Sequence, residues 1–380
     1  MPMQKIRVCQ FITELRPAGA ERCVYELATR LPREQFEVEV LALRGGAYAD
    51  QLSAAGIPVH VLDLRRRLDP KKFSQLVRIL REGRFDILHT HLFHADLVGR
   101  PAARRAGVPH LVHSVHVAER RFRPWQFAWA RWTRTWCDRI VCVSQGVRDF
   151  HARQAHLPLE DYTVIYNGVD VQRYARDPSQ RNELRRRWGI AEGEVLCGFV
   201  GRLDEQKGIP ELVDLMTRLS GSPGNTGPAI QFVLAGDGPM RGFLEEAVTR
   251  RGLARNVRVL GFTDDIPGVL WACDLFLQPS RWEGFCLAAA EAMAAGLPVV
   301  GTDVDGLNEV VADGQTGILC RVGDVAALTE AVRRLAQDPS VRERMGQLGR
   351  ARVLEHFSVD RFVAGHQELY ASMVATGPRE

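Results

Sequence analysis

The octapeptide Gly201-Arg202-Leu203-Asp204-Glu205-Gln206-Lys207-Gly208 follows an apolar run of strand length, Val195 to Val200. That order puts one arginine and one lysine in the loop at the carboxyl end of a strand, where open α/β sheets bind ligands. A guanidinium grips two phosphate oxygens in a fork and an ammonium acts as a point charge, so Arg202 and Lys207 could neutralise a diphosphate without a metal. The same loop also reads as a surface turn in which both cations pair with Asp204 and Glu205. A second segment, Glu283-Gly284-Phe285-Cys286-Leu287-Ala288-Ala289-Ala290-Glu291, follows the run Leu275 to Gln278 and enters an Ala-rich helix. With Gly284 the last flexible position, the amides of Gly284, Phe285, Cys286 and Leu287 form a helix N-terminus that attracts an anion. If the segment is mostly helical, Glu283 and Glu291 lie at most about 12 Å apart along the axis. Two carboxylates at that spacing suit a ligand with a sugar at one end, phosphates in the middle and a ribose at the other. A third turn, Arg16-Pro17-Ala18-Gly19-Ala20-Glu21-Arg22, opens a helix. Gly19 and Ala20 leave little side chain there, so the backbone can approach a ligand closely.

The elements that must position these loops are legible from periodicity. Strand-length runs recur at Ile6 to Ile12, Phe36 to Leu43, Val59 to Leu64, Phe85 to His89, His110 to Val115, Arg139 to Ser144 and Tyr162 to Tyr166. Helical patterns lie between them, with Val24, Leu27, Ala28 and Leu31 on one face, as in a parallel sheet covered on both sides. The alternation starts afresh after residue 190, at Val195 to Val200, Ile230 to Ala235, Val257 to Leu260, Leu275 to Gln278, Pro298 to Gly301 and Gly317 to Cys320. Two doubly wound α/β domains joined near Asn167 to Tyr174, with the ligand in the cleft between them, explain this better than one very large sheet. Ser220 to Pro228 reads as a Gly/Pro/Ser loop without chemistry, and the helical stretch Val359 to Met373, with no strand after it, is expected to cross back over the first domain.

Composition agrees and excludes other classes. With 46% hydrophobic and 25% charged residues the chain is globular, neither disordered, fibrous nor coiled coil. No apolar stretch reaches the roughly 20 residues of a spanning helix, and Met1 to Gln10 has no apolar signal core, so a cytoplasmic chain is expected. The eight cysteines are scattered without a Cys-x-x-Cys and read as reduced, mostly buried thiols. Residues 1–170 hold 26 Lys and Arg against 18 Asp and Glu, whereas the remainder holds 24 against 28. A net +8 in the first half points to an anionic partner, a phosphorylated acceptor or a membrane surface.

Other patterns compete. Six of the eleven histidines fall at 89, 91, 94, 110, 113 and 116, and His89 and His91 share a strand face, the spacing of a zinc site in a metal-dependent hydrolase. Only Asp96 accompanies them, and a zinc site leaves the phosphate loops unexplained. Asp303-Val304-Asp305 has the form of a metal-binding Asp-x-Asp but sits where a strand-to-helix turn is expected. Gly236-Asp237-Gly238 resembles a dinucleotide fingerprint whose third glycine, Gly242, comes one place late. Trp125, Trp129, Trp132 and Trp136 recur at helical spacing among arginines, a stripe that is either core or a surface dipping into an anionic membrane.

Taken in order, the motifs resemble glycosyltransferase family 4, retaining enzymes of the GT-B architecture, over almost the whole length. The likeness runs through Gly-Ala-Glu-Arg (19–22), His-Leu-Phe-His-Ala-Asp (91–96), Val-Ser-Gln-Gly-Val (143–147), Val-Ile-Tyr-Asn-Gly-Val-Asp (164–170), Gly-Arg and Lys-Gly (201–208), Ala-Gly-Asp-Gly-Pro (235–239) and the two glutamates with Glu-Ala-Met-Ala-x-Gly-x-Pro-Val-Val (283–300). The resemblance implies two Rossmann-like domains: residues 1–170 for the acceptor, 171–356 for a nucleotide-sugar donor, and a final segment 357–380 returning to the first. It implies transfer of a sugar, UDP-linked by preference or GDP-linked, to a hydroxyl of a glycan, lipid-linked or small-molecule acceptor with retention of configuration. Arg202 and Lys207 would hold the diphosphate, Glu291 the ribose hydroxyls and Glu283 the donor sugar, with the amides of 284–287 assisting. Gly19 and Ala20 would approach the phosphates, and His116 would lie near the reacting sugar.

The implied displacement is front-face, with the leaving phosphate accepting the acceptor's proton, so fixed cations and amides supply most of the help and no strong base is needed. No metal or other cofactor and no nucleic acid are expected, and peripheral contact with an anionic membrane through the first domain is an open expectation. Cys286 stands where many relatives carry glycine, and Trp282 where many carry a smaller residue; both lie at the donor-sugar end. A nucleotide-sugar epimerase, a sugar phosphorylase on the same architecture and a nucleotide-sugar-binding subunit without catalysis are the rival readings.

Overall fold

The computed structural model describes residues 5–64, 69–220 and 227–377. Residues 221–226, most of the Gly/Pro/Ser loop, lie outside the described residues. The chain divides into two compact units, residues 1–168 with 359–380, and residues 169–358.

The first unit is built on seven strands: β1 (Ile6–Glu14), β2 (Phe36–Arg44), β3 (Val59–Val61), β4 (Ile87–His91), β5 (His110–Val115), β6 (Arg139–Cys142) and β7 (Tyr162–Val164). They form one parallel sheet in the order β3-β2-β1-β4-β5-β6-β7, and helices fill the crossovers. The order reverses between β1 and β4, so the loops after these two strands diverge and leave room for side chains at their carboxyl ends. β3 is shorter than the run Val59 to Leu64 predicts, although Leu62 and Leu64 still donate their amides to Ala42 and Leu43. β4 runs two residues beyond the expected Phe85 to His89. Its polar end is held in the middle of the sheet, with His91 opposite Ile12 on one side and Ser114 on the other. The helix Val359–Thr376 belongs to this unit.

The second unit has six parallel strands, β8 (Val195–Val200), β9 (Ile230–Ala235), β10 (Val257–Gly261), β11 (Leu275–Gln278), β12 (Val299–Thr302) and β13 (Gly317–Cys320), ordered β10-β9-β8-β11-β12-β13. The helix Ile209–Ser220 buries Leu212, Leu215, Met216 and Leu219, the face its periodicity predicts. These side chains join Phe199, Phe232, Leu234 and Leu277 in one core. Burial on that scale contributes about 1.5–3 kcal/mol per large apolar side chain relative to exposure, which rigidifies the strand ends carrying the charged loops. Here the order reverses between β8 and β11.

Candidate active site

Strands β8 and β11 are neighbours, so the turns after them share one end of the second sheet. Gly208 makes their contact close: at φ 68°, a Cβ there would stand 1.9 Å from the Pro279 carbonyl oxygen. Gly236 does the same between the loops after β9 and β8, where a Cβ would stand 1.9 Å from the Gly201 oxygen. The Gly236-Asp237-Gly238 pattern is therefore a backbone-packing device: Leu203 donates its amide to Asp237 and accepts from Met240, which locks the base of the Arg202 loop. Asp303 to Asp305 is a strand-to-helix turn in which Asp303 accepts from Asn308.

This packing sets Lys207 Nζ 2.6 Å from Glu283 Oε1, an oxygen that also accepts from Ser280 Oγ at 2.6 Å and Gln278 Nε2 at 3.1 Å. Glu283 is 3% exposed. Burial by itself would lower the Lys207 pKa, but the adjacent Glu283 carboxylate outweighs it and holds the ammonium charged. Lys207 spends one of its three N–H groups on Glu283, and the other two suit phosphate oxygens. The Cys286 thiol is pushed up by burial and by the nearby Glu283 carboxylate, so it stays protonated. Arg202 stands apart, its side chain 64% exposed and 3.5 Å from Asp204. Of the two cations, the second thus pairs with Glu283 rather than Glu205, which binds Arg281.

The helix opens at Leu287 and not at Gly284. Cys286 is its N-cap in the left-handed region, φ 63°, a conformation that ends any helix running back toward Glu283 and that glycine adopts without strain. Residues 283–286 are therefore a loop, and the helical amides begin three positions later than the spacing suggested. Glu291 lies in the second turn, where its Oε1 accepts from Tyr174 OH at 2.7 Å. In the first unit, Gly19 and Ala20 form the first turn of the helix Gly19–Arg30, with Ala18 as an extended N-cap. Glu21 in that turn is buried, and burial raises its carboxyl to about 7.

His116 follows β5 and lines a pocket with Leu92, Phe93, Phe122, Trp129 and His151. Leu92 turns the chain from β4 into its helix at φ 67°, a strained conformation for a branched residue. One wall rests on a fully buried ion pair: Arg100 Nε reaches both Asp96 oxygens at 2.8 Å, and its Nη1 bonds the Thr133 carbonyl and hydroxyl. Burial would raise the Asp96 pKa, but Arg100 and His113 outweigh it and hold the carboxyl below the usual range. The histidines at the strand ends bond one another and their neighbours: His91 meets His116 at 3.0 Å and Gln10 at 2.7 Å, and His89 meets Ser114 at 2.8 Å. Among the described residues no group of three or more His, Cys, Asp or Glu side chains is placed to hold a metal ion. All eight cysteines are free and buried. The tryptophan stripe is not one helix face, because the helix Pro124–Trp132 ends at Thr133. Trp129 and Trp136 pack edge to face, while Trp132 is 74% and Trp125 45% exposed.

These burials predict an acid-labile fold. His89, His91, His113, His116, His151 and His366 are all held below the usual imidazole range, chiefly by burial, His116 and His151 to about 3 and His113 and His366 to about 4. The unfolded chain takes up protons below about pH 6.5 and the folded chain refuses them, so the stability they lend is complete above that pH and lost as the pH falls toward the folded values. Glu21, raised to about 7, works oppositely and loses its contribution as the pH rises. One carboxyl against six imidazoles leaves a net loss on the order of several kcal/mol between pH 7.5 and 5.5. Urea midpoints at the two pH values measure it, and equal midpoints would contradict the neutral, buried state of these rings.

The family model described as Glycosyltransferase Family 4 matches residues 17–173, and that described as Glycosyl transferases group 1 matches residues 180–352. The alpha-maltose-1-phosphate synthase of Mycolicibacterium smegmatis is 31% identical over 316 residues, 76% of this chain and 79% of the relative. The chain belongs to glycosyltransferase family 4. Another relative of this family 4 chain, the Escherichia coli UDP-Gal:alpha-D-GlcNAc-diphosphoundecaprenol alpha-1,3-galactosyltransferase, is 28% identical over 368 residues, 94% of each chain. The crystal structure of Anabaena HepE in complex with UDP-glucose superposes with a TM-score of 0.86 at 26% identity, covering 97% of this chain and all of that one. The two parallel-sheet units are those of a GT-B glycosyltransferase, and its donor is a nucleotide-sugar.

Sequence reasoning missed several supports of this family 4 site. Gln278 and Ser280 hold Glu283, and the signal was present: a glutamine ends an otherwise apolar buried strand. Tyr174 on Glu291, and Gln10 and Tyr370 behind the histidines, gave no local signal because each meets its partner across a long stretch of chain.

Proposed function

We propose that this glycosyltransferase moves a sugar from a UDP-sugar to a hydroxyl of a glycan or lipid-linked acceptor, with retention of configuration and without a metal. The observation that carries the reading is the buried Lys207–Glu283 pair at the reversal point of the second sheet, a cation with N–H groups to spare beside a carboxylate locked by three donors. In this reading Lys207 and the outstretched Arg202 take the diphosphate, the amides at Gly284 to Leu287 assist, and Glu283 orients the sugar. Glu291, fixed by Tyr174, takes the ribose hydroxyls. The bond from the anomeric carbon to the phosphate oxygen breaks as a bond to the acceptor oxygen forms on the same face, and the acceptor's proton passes to the departing phosphate. Charge grows on that phosphate, where fixed cations and amides lower the barrier most. The HepE complex with UDP-glucose and the E. coli enzyme, named for a UDP-galactose donor and a diphosphoundecaprenol-linked acceptor, support the UDP preference and a lipid-linked acceptor. No helix among the described residues is long and apolar enough to cross a membrane. A lipid-linked acceptor is then met from the surface, and the exposed Trp125 and Trp132 among arginines suit anionic vesicles.

Thermal unfolding with UDP, GDP and ADP in EDTA tests the donor assignment. UDP at 100 times its dissociation constant is expected to add about 2.7 kcal/mol, with no further gain from Mg²⁺ or Zn²⁺. Glu291→Ala should abolish most of the UDP shift, whereas Glu283→Ala should keep it and lose turnover. A shift that appears only with a divalent metal, or with none of the nucleotides, would overturn the reading.

A further inference from the structure

A buried chain of hydrogen bonds in the first unit runs from Ser114 to His116, and its direction follows from which atoms can donate. The Gln10 amide nitrogen donates to the Tyr370 hydroxyl at 3.0 Å, and its carbonyl oxygen lies 2.7 Å from His91 Nε2. A carbonyl oxygen only accepts, so His91 carries its hydrogen on Nε2 and offers a lone pair at Nδ1. That lone pair faces His116 Nε2 at 3.0 Å, which must therefore hold the hydrogen. His116 is neutral, since burial lowers it to about 3, and a neutral imidazole has one N–H. Its Nδ1 is then a bare acceptor, and this atom is buried without a hydrogen-bond partner. Toward the other end, Tyr370 gives its hydrogen to His89 Nδ1 at 2.5 Å, and His89 Nε2–H donates to Ser114 Oγ at 2.8 Å. Four of the five residues before His116 in this scheme lie on the central strands; Tyr370 comes from the C-terminal helix.

We propose that Gln10 and Tyr370 are positioning residues that fix the His116 tautomer, so that His116 meets the substrate as a hydrogen-bond acceptor at Nδ1, accepting a hydrogen bond from a substrate hydroxyl without removing its proton and donating none to a leaving oxygen. The proposal rests on the reading that His116 faces the substrate. Turning the Gln10 amide over would reverse every link and put the hydrogen on His116 Nδ1. The present sense leaves the partnerless His116 Nδ1 a bare acceptor, whereas the reversed one would bury an orphan N–H there, and the Tyr370 hydroxyl joins the two halves by accepting from Gln10 and giving its hydrogen to His89.

Nitrogen NMR of the full chain with ¹⁵N-labelled histidine, assigned by a His116→Gln control, reads the tautomer directly. The expected result is an unprotonated Nδ1 and a protonated Nε2 at His116. Tyr370→Phe removes the acceptor that holds Gln10 while keeping the ring; it should give a mixture of His116 tautomers and lower kcat about tenfold, with KM for the UDP-sugar within about twofold. A hydrogen on His116 Nδ1 in the wild type overturns the proposal, and so does a Tyr370→Phe protein with the wild-type tautomer and kcat. The tautomer is read without substrate, so it stands or fails separately from the transferase reading.

Discussion

Lys207→Met is expected to lower kcat/KM by about 10²–10³-fold, the usual loss when one fixed donor to a developing anion is removed. It should also weaken the fold, because Glu283 would remain 3% exposed with Ser280 and Gln278 as donors but no cation beside it. Breaking a buried pair by removing one partner costs about 3–5 kcal/mol. Lys207→Met with Glu283→Gln removes both charges and should recover most of that stability while activity stays low. The two variants separate the pair's part in the fold from its part in the reaction. Urea unfolding supplies the first quantity and steady-state transfer from a UDP-sugar the second. A double variant within tenfold of wild-type kcat/KM would sink the assignment of this pair to the phosphate and sugar end.

The second large effect is on stability. Arg100→Met should cost about 3–5 kcal/mol, since Asp96 would be left 2% exposed and charged, with Thr90 as its donor and His113 nearby. The loss should spread to the pocket wall, because Arg100 also holds Thr133, the residue that ends the helix carrying Trp129. Replacing both charges, as in Arg100→Met with Asp96→Leu, should recover much of the loss, since an apolar pair of similar volume avoids desolvating two ions. Urea unfolding reads both. A loss below about 1 kcal/mol for the single variant would mean that water reaches Asp96 and that the pair does not brace the wall.

The positions of the strands were readable because a parallel sheet buried on both faces needs runs of β-branched and apolar residues, and those runs stand out locally. Thus β5, β8, β9, β11 and β13 fall where the runs do. The same logic misplaced β4, whose last residues Thr90 and His91 are polar and are tolerated only because Asp96, His113, Gln10 and His116 satisfy them inside. The Ala-rich segment after Glu283 announced its helix, but not the left-handed Cys286 that delays its start to Leu287. The tryptophan spacing suggested one continuous face, yet Thr133 stops the helix there.

By itself the sequence determined two doubly wound units, the membership in glycosyltransferase family 4, and the two segments that carry Arg202, Lys207, Glu283 and Glu291, because each is a matter of residue type and short-range spacing. Only the tertiary structure decided which charges meet. Lys207 and Glu283, 76 residues apart, are brought together by a sheet order that places β8 beside β11 and by a glycine that lets their turns touch, and Tyr174 meets Glu291 across 117 residues. The hydrogen-bond sense at His116 depends on Tyr370, which lies 360 residues from Gln10 and 281 from His89. A hydrogen's place on an imidazole is set by whichever donor or acceptor packing delivers to the other nitrogen, and no local pattern encodes that.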